Sequence, residues 1–132
     1  MKINTKIRYG LRTMIVIANA TDLDGILQKD IAESQDISLK YLDSIISSLK
    51  LKGLIVNVRG KGRGYKLARS ANEITVFDIY TAFERIDIVD CIDNPEICIK
   101  ASHNCNANAF WCEFKANISS TLKNKKLSDI II

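Results

Sequence analysis

Four cysteines, Cys91, Cys98, Cys105 and Cys112, stand at seven-residue steps, and no other cysteine occurs in the 132 residues. Thiolates are soft ligands for zinc and iron–sulfur centres, and exposed low-pKa thiols are redox-reactive nucleophiles. A seven-residue step would also suit one stripe of a long helix, which would make the pattern a packing feature. The chain's only proline, Pro95, falls between the first two cysteines, in Asp93-Asn94-Pro95-Glu96. Proline in a helix interior costs about 3 kcal/mol, so at least the first half of the array is expected to be a loop. Gathered on a loop, thiols point to a cofactor or redox site more than to a core.

Other chemistries fit less well. Structural zinc sites usually pair their ligands as Cys-x2–4-Cys, and no such pair is present. A thiol–disulfide sensor needs an exposed cysteine that readily forms thiolate, and the acidic neighbours Asp90, Asp93 and Glu96 disfavour one. A Cys–His nucleophile built on His103, the single histidine, has no orienting partner or oxyanion site to point to. The chain is not expected to be an enzyme or to take a small-molecule substrate.

The elements that must hold these thiols divide by charge. Residues 1–70 carry 13 Lys/Arg and 6 Asp/Glu, a net of +7, and residues 71–132 carry 6 and 9, a net of −3. A basic front of this kind is expected to face a polyanion. No signal-peptide pattern opens the sequence, and no apolar run approaches the roughly 18 residues of a membrane span. A cytoplasmic protein without a membrane partner is expected, where four cysteines more often bind metal or catalyse than form staples.

Helical spacing of Ile7, Leu11, Met14, Ile15 and Ala18 predicts an amphipathic helix over 6–20. A short helix over 28–34 comes next, with Leu27 and Ile31 inward. A third helix opens at Ser38 as N-cap, with Leu39, Leu42, Ile46 and Leu49 as its apolar positions, and Gly53 ends it. Its other face is Lys40, Tyr41, Asp43, Ser44, Ser47 and Lys50. Helix, short turn and a second helix with a polar outer face match the helix-turn-helix, whose second helix enters the major groove. A β-branched strand over 54–58 and a second strand over 65–68 then flank Arg59-Gly60-Lys61-Gly62-Arg63-Gly64. Residues 59–69 hold five basic side chains, and the glycines permit a tight hairpin. The phosphate-loop pattern Gly-x-x-x-x-Gly-Lys-Ser/Thr is absent. The hairpin reads as the wing of a winged helix, laying cations along phosphates or into a narrow minor groove. A winged helix used only for protein contacts would give those cations no purpose.

The rear half reads as a helix over 75–84 capped by Thr75 and Asp78, an acidic irregular stretch over 87–100, and a helix over 106–123. Phe110, Phe114, Ile118 and Leu122 make an i, i+4 stripe on the last helix, beside Trp111, and a dimer interface is expected there. The fold class is therefore mainly α with a small β-hairpin: a winged helix-turn-helix plus a long C-terminal dimerisation helix. Three regions are expected: the DNA-binding domain over 1–85, a cysteine-containing cofactor loop over 86–104, and the dimerisation helix and tail over 105–132. The DNA-contacting candidates are Ser38, Lys40, Tyr41 and Asp43 on the third helix and Arg59, Lys61 and Arg63 in the wing. The partner would be a palindromic double-stranded DNA operator read by a homodimer.

The whole chain resembles the IscR/NsrR/CymR family of bacterial winged-helix transcription regulators. The opening residues 1–10, the helix entry Ile37-Ser38-Leu39-Lys40-Tyr41-Leu42, the wing over 58–67, the 105–111 stretch and the closing Lys126-Leu127-Ser128-Asp129-Ile130 all carry the likeness. The family's wing pattern is Arg-Gly-x-x-Gly-Gly-Tyr-x-Leu, and Arg63 replaces one glycine. The resemblance implies a repressor whose DNA binding is tuned by an iron–sulfur cluster, [2Fe-2S] in preference to [4Fe-4S], on Cys91, Cys98 and Cys105. The alternative it leaves is a cluster-free thiol/disulfide sensor of the same fold. The fourth ligand departs from the family. One branch takes a histidine three residues after the third cysteine, and that position is Asn108. Nitric-oxide-sensing relatives take an acidic side chain near the partner's N-terminus, and the matching position is Arg8. Cys112 is the leading substitute, because thiolate is the usual cluster ligand, and His103 is the second choice.

Overall fold

In the computed structural model, which describes residues 2–97 and 105–132, helix α1 spans Thr5–Asn19, α2 Gln28–Gln35 and α3 Leu39–Leu51. Each start has a chemical cause or a packing one. The Asn4 side chain accepts the Ile7 N–H at 2.8 Å, and the Ser38 hydroxyl accepts the Tyr41 N–H at 3.1 Å, so both caps satisfy an otherwise orphan donor. No side-chain cap opens α2; burial of Ile31 and Ala32 holds it. It ends at Asp36, which takes the left-handed conformation at φ 53°.

The inner face of α3 is Leu42, Ile45, Ile46 and Leu49, all buried. This corrects one expectation. Leu39 is 53% exposed, and Ile45 takes its place in the core. At 100° per residue Leu39 lies roughly 70° from the centre of the buried stripe, and as the first helical residue it clears the edge of the core.

Strands β1 (Ile55–Asn57) and β2 (Tyr65–Leu67) pair antiparallel, with Ile55 opposite Leu67 and Asn57 opposite Tyr65. Tyr65 also exchanges backbone hydrogen bonds with Ile26, at 2.9 and 2.8 Å, so the α1–α2 connection backs the hairpin. That approach is why residue 64 is glycine: a Cβ there would collide with the Ile26 carbonyl.

A single 3-10 turn, Ala71–Glu73, leads to α4 (Val76–Thr81), which carries the full Thr75/Asp78 capping box. The stretch after it is more regular than expected. Asp90–Asp93 forms a one-turn helix, α5, and Pro95–Ile97 a 3-10 turn. Asn94 leaves helical geometry at φ −133°, ψ 76°, as the residue before proline is pushed to do. Helix α6 then spans Asn106–Asn124, and a 3-10 turn at Leu127–Asp129 closes the chain.

Two apolar clusters hold these elements. The larger joins Met14, Ile31, Leu42, Leu49 and Ile74 with Leu127 of the C-terminal tail. The smaller is Ile7, Tyr80 and Ile86, with Ile118 and Leu122 of α6 packed against it. Backbone bonds pin the tail beside α4: Val76 N–H to the Lys125 carbonyl at 2.9 Å and Leu127 N–H to the Ile74 carbonyl at 2.8 Å. Among the described residues no helix is long and apolar enough to cross a membrane.

Candidate nucleic-acid interface and thiol site

The exposed face of α3 presents Leu39, Lys40, Asp43, Ser47 and Lys50, and its neighbours hold it in place. Gln28, the first residue of α2, donates through its side-chain amide to the Asp43 carboxylate, and the same nitrogen lies 3.5 Å from the Leu39 carbonyl oxygen. On the opposite flank Tyr41 packs edge-on against Tyr9, ring centres 5.9 Å apart. The Arg12 guanidinium lies 4.8 Å over the Tyr9 ring and donates to the Gln35 carbonyl at 2.8 Å. Tyr41 is thus half-buried, its ring engaged in docking α3 on α1. The lone pair of Ser38 that caps the helix is committed, which leaves its hydroxyl hydrogen free to donate. Sequence spacing does not single out Gln28 and Arg12, because each acts across 15 to 23 residues.

In the wing, Gly60 and Gly62 take φ values of 118° and 78°, which glycine alone adopts without strain. Arg63 pairs with Asp24 at 3.3 Å, and Arg69 with Asp78 at 3.5 Å. Both pairs are largely exposed and hold their arginines loosely. Arg59, Lys61 and Lys66 are exposed and form no ion pair among the described residues. At the far end of α3 the Lys50 ammonium lies 5.9 Å from the centre of the Tyr65 ring, so the end of the helix lies beside β2.

Cys91 is half-buried on α5, Cys105 is half-buried at the head of α6, and Cys112 is exposed. Cys98 and His103 lie outside the described residues. The Cys112 thiol approaches the Asn108 side-chain oxygen at 3.6 Å. Because α6 starts directly after Cys105, Cys112 stands seven residues further on, roughly 10 Å along the axis. Among the described residues no three His, Cys, Asp or Glu side chains converge on one point. The donors nonetheless suit a thiolate-held iron–sulfur group: Cys91 and Cys105 are half-buried and flank the segment carrying Cys98, three soft ligands within 15 residues.

Asp93 ties the first of these cysteines to α6. Its side chain is 3% exposed and receives the Lys115 ammonium at 2.6 Å and the Ile88 N–H at 2.5 Å. Burial pushes the Asp93 carboxyl up, but those hydrogen bonds and the lysine charge outweigh it and hold the group below the ordinary aspartate value. Tyr80 moves the other way: burial, with the Glu84 and Asp87 carboxylates, raises its phenol.

The apolar stripe of α6 divides. Ile118 and Leu122 lean on the chain's own Ile7–Tyr80–Ile86 cluster. Phe110 is 54% exposed; its ring stacks on Phe114 at 6.2 Å, and Trp111 meets both edge-on. At the head of the helix Phe110 is thus exposed, with Trp111 and Phe114 half-buried beside it.

Known proteins share this fold. Residues 3–132 match the family model "Rrf2: Iron-dependent Transcriptional regulator". The HTH-type transcriptional regulator IscR of Serratia proteamaculans is 33% identical over 132 residues, covering 99% of this chain and 79% of that protein. Among solved structures, the oxidized form of Staphylococcus aureus CymR is 32% identical, with a TM-score of 0.76 over 98% of this chain and 95% of that one. T. potens IscR is 29% identical, with a TM-score of 0.75 over 98% and 85%. These relatives are transcription regulators rather than enzymes. With a winged helix-turn-helix on one side and the matched length of the family on the other, the chain belongs to the Rrf2 family of transcription regulators.

Proposed function

We propose that the protein is a cytoplasmic, homodimeric repressor that reads a palindromic DNA operator and whose DNA affinity is set by an iron–sulfur cluster. The observation that carries the DNA-binding half is the juxtaposition of an exposed polar α3 with a wing whose Arg59 and Lys61 have no acidic partner among the described residues. Ser38 and Lys40 at the start of α3 would meet phosphates or the nearest bases. Asp43, oriented by Gln28, would read base edges, while Tyr41, on the opposite flank, would steady α3 against α1. Arg59, Lys61 and Arg63 would track the backbone into the minor groove.

Cys91, Cys98 and Cys105 would hold the cluster, [2Fe-2S] in preference to [4Fe-4S]; the relatives named IscR support iron–sulfur binding in general. When bound, such a group supplies a redox-labile centre held by thiolates. The chain's own part is mechanical. α5 carries Cys91, and the Asp93–Lys115 pair joins α5 to α6. An ordered cysteine segment would therefore fix α6, and with it the angle between two DNA-reading halves. The fourth ligand would be Cys112, His103 or a group supplied by the partner subunit; the roughly 10 Å separating Cys105 from Cys112 along α6 favours a test of both side chains. Anaerobic reconstitution with iron and sulfide decides. Cys91→Ala, Cys98→Ala and Cys105→Ala should each lose the visible chromophore, and of Cys112→Ala and His103→Ala only the fourth-ligand variant should. A full cluster in Cys98→Ala would defeat the ligand assignment.

A second reading has one observation of its own. Cys112 is an exposed thiol away from the other described cysteines, and one of the CymR structures that this chain resembles is an oxidized form. A colourless protein whose DNA affinity tracks thiol oxidation and is lost in Cys112→Ser would favour that cluster-free sensor.

A further inference from the structure

Leu39 is an apolar side chain that the fold leaves 53% exposed. A lone exposed leucine is ordinary on a protein surface; the position of this one is not. It is the first residue of α3, between the Ser38 cap and Lys40, and it belongs to neither apolar cluster. By the 3.6-residue period it lies with Asp43 and Lys50 along one flank of the helix, at the edge of the buried stripe. Its backbone is held as well, since the Gln28 amide approaches its carbonyl oxygen at 3.5 Å.

A recognition helix meets base edges with its N-terminal residues. The one apolar group that the major groove displays is the C5-methyl of thymine, and apolar side chains read it by contact. Resting on the DNA-binding reading above, we propose that Leu39 is a specificity residue that contacts a thymine methyl in each half-site. Leu51 provides a control. It is more exposed, at 90%, but closes α3 at the other end, roughly 18 Å along the axis from Leu39.

The test uses duplexes enriched from a random-sequence library by the full-length protein. Thymines are replaced one at a time by deoxyuridine, which removes the methyl group and nothing else. Wild-type binding should weaken about fourfold per methyl at one position in each half-site, the effect of one buried methylene-sized group. Leu39→Ala should bind more weakly and be indifferent to that replacement, while Leu51→Ala keeps the wild-type sensitivity. Equal response of wild type and Leu39→Ala at every thymine overturns the inference and leaves DNA binding standing. A library from which no duplex is enriched overturns both.

Discussion

At the scale of single residues, the wing separates cations held by acids from cations left open. Arg63 and Arg69 each have a carboxylate within 3.5 Å, whereas Arg59 and Lys61 have none among the described residues. An unpaired cation on an exposed hairpin contributes mainly by displacing counterions from phosphate. Arg59→Ala and Lys61→Ala should each weaken binding of an enriched duplex and lower the slope of log affinity against log salt by about one unit. If Arg59 enters a narrow minor groove, sequence preference should relax too. Salt titrations identical to wild type for both variants would remove the wing from the interface. The wing is legible in the sequence because glycine and arginine declare themselves by type. Asp24 as the partner of Arg63 is not, since their contact spans 39 residues and depends on the α1–α2 connection reaching β2.

At the scale of elements, the proposed regulation rests on the contact between the one-turn α5 and α6. A four-residue helix has no stability of its own, so α5 exists through its anchors, and the Asp93–Lys115 pair is the polar one. Replacing Lys115 by Met keeps the stem and removes the charge, leaving a carboxylate that is 3% exposed with only backbone partners. Lys115→Met should cost about 1–3 kcal/mol in urea unfolding, and Asp93→Asn with Lys115→Met together should cost less than the sum of the two. Additive losses would show that the pair does not act as a unit. The sequence points to an irregular acidic stretch here. A loop is expected up to Pro95, but one helical turn forms before it because α6 supplies a partner 22 residues away.

At the scale of the whole molecule, the partly exposed aromatics at the head of α6 bear on assembly. Phe110, Trp111 and Phe114 form one cluster of ring contacts, apolar enough to be costly in water. The homodimer should be held there, with Ile118 and Leu122 contributing from positions already half-covered by their own chain. Sedimentation should report about twice the mass of 14.8 kDa. Phe110→Asp with Phe114→Asp should give a folded monomer that no longer prefers a palindrome over a single half-site, since paired half-sites call for a two-fold protein. A wild-type monomer at micromolar concentration would overturn this.

By itself the sequence determined the features that rest on local chemistry. The caps at Ser38 and Thr75, the extents of α1, α3 and α6, the glycine hairpin and the break at Pro95 each need only residues a few positions apart, and each stands within a residue or two of where expected. The charge division and the family likeness are also properties of the string alone. Tertiary structure decided which apolar residues are covered, because that depends on what each element meets. Leu39 and Phe110 are left outside, while Ile118 and Leu122 find Ile7, Tyr80 and Ile86. The tail needed the fold too: nothing local sends Leu127 into the core beside Ile74. Periodicity tells which side of a helix is apolar, but only the packed chain supplies the surface that side is pressed against.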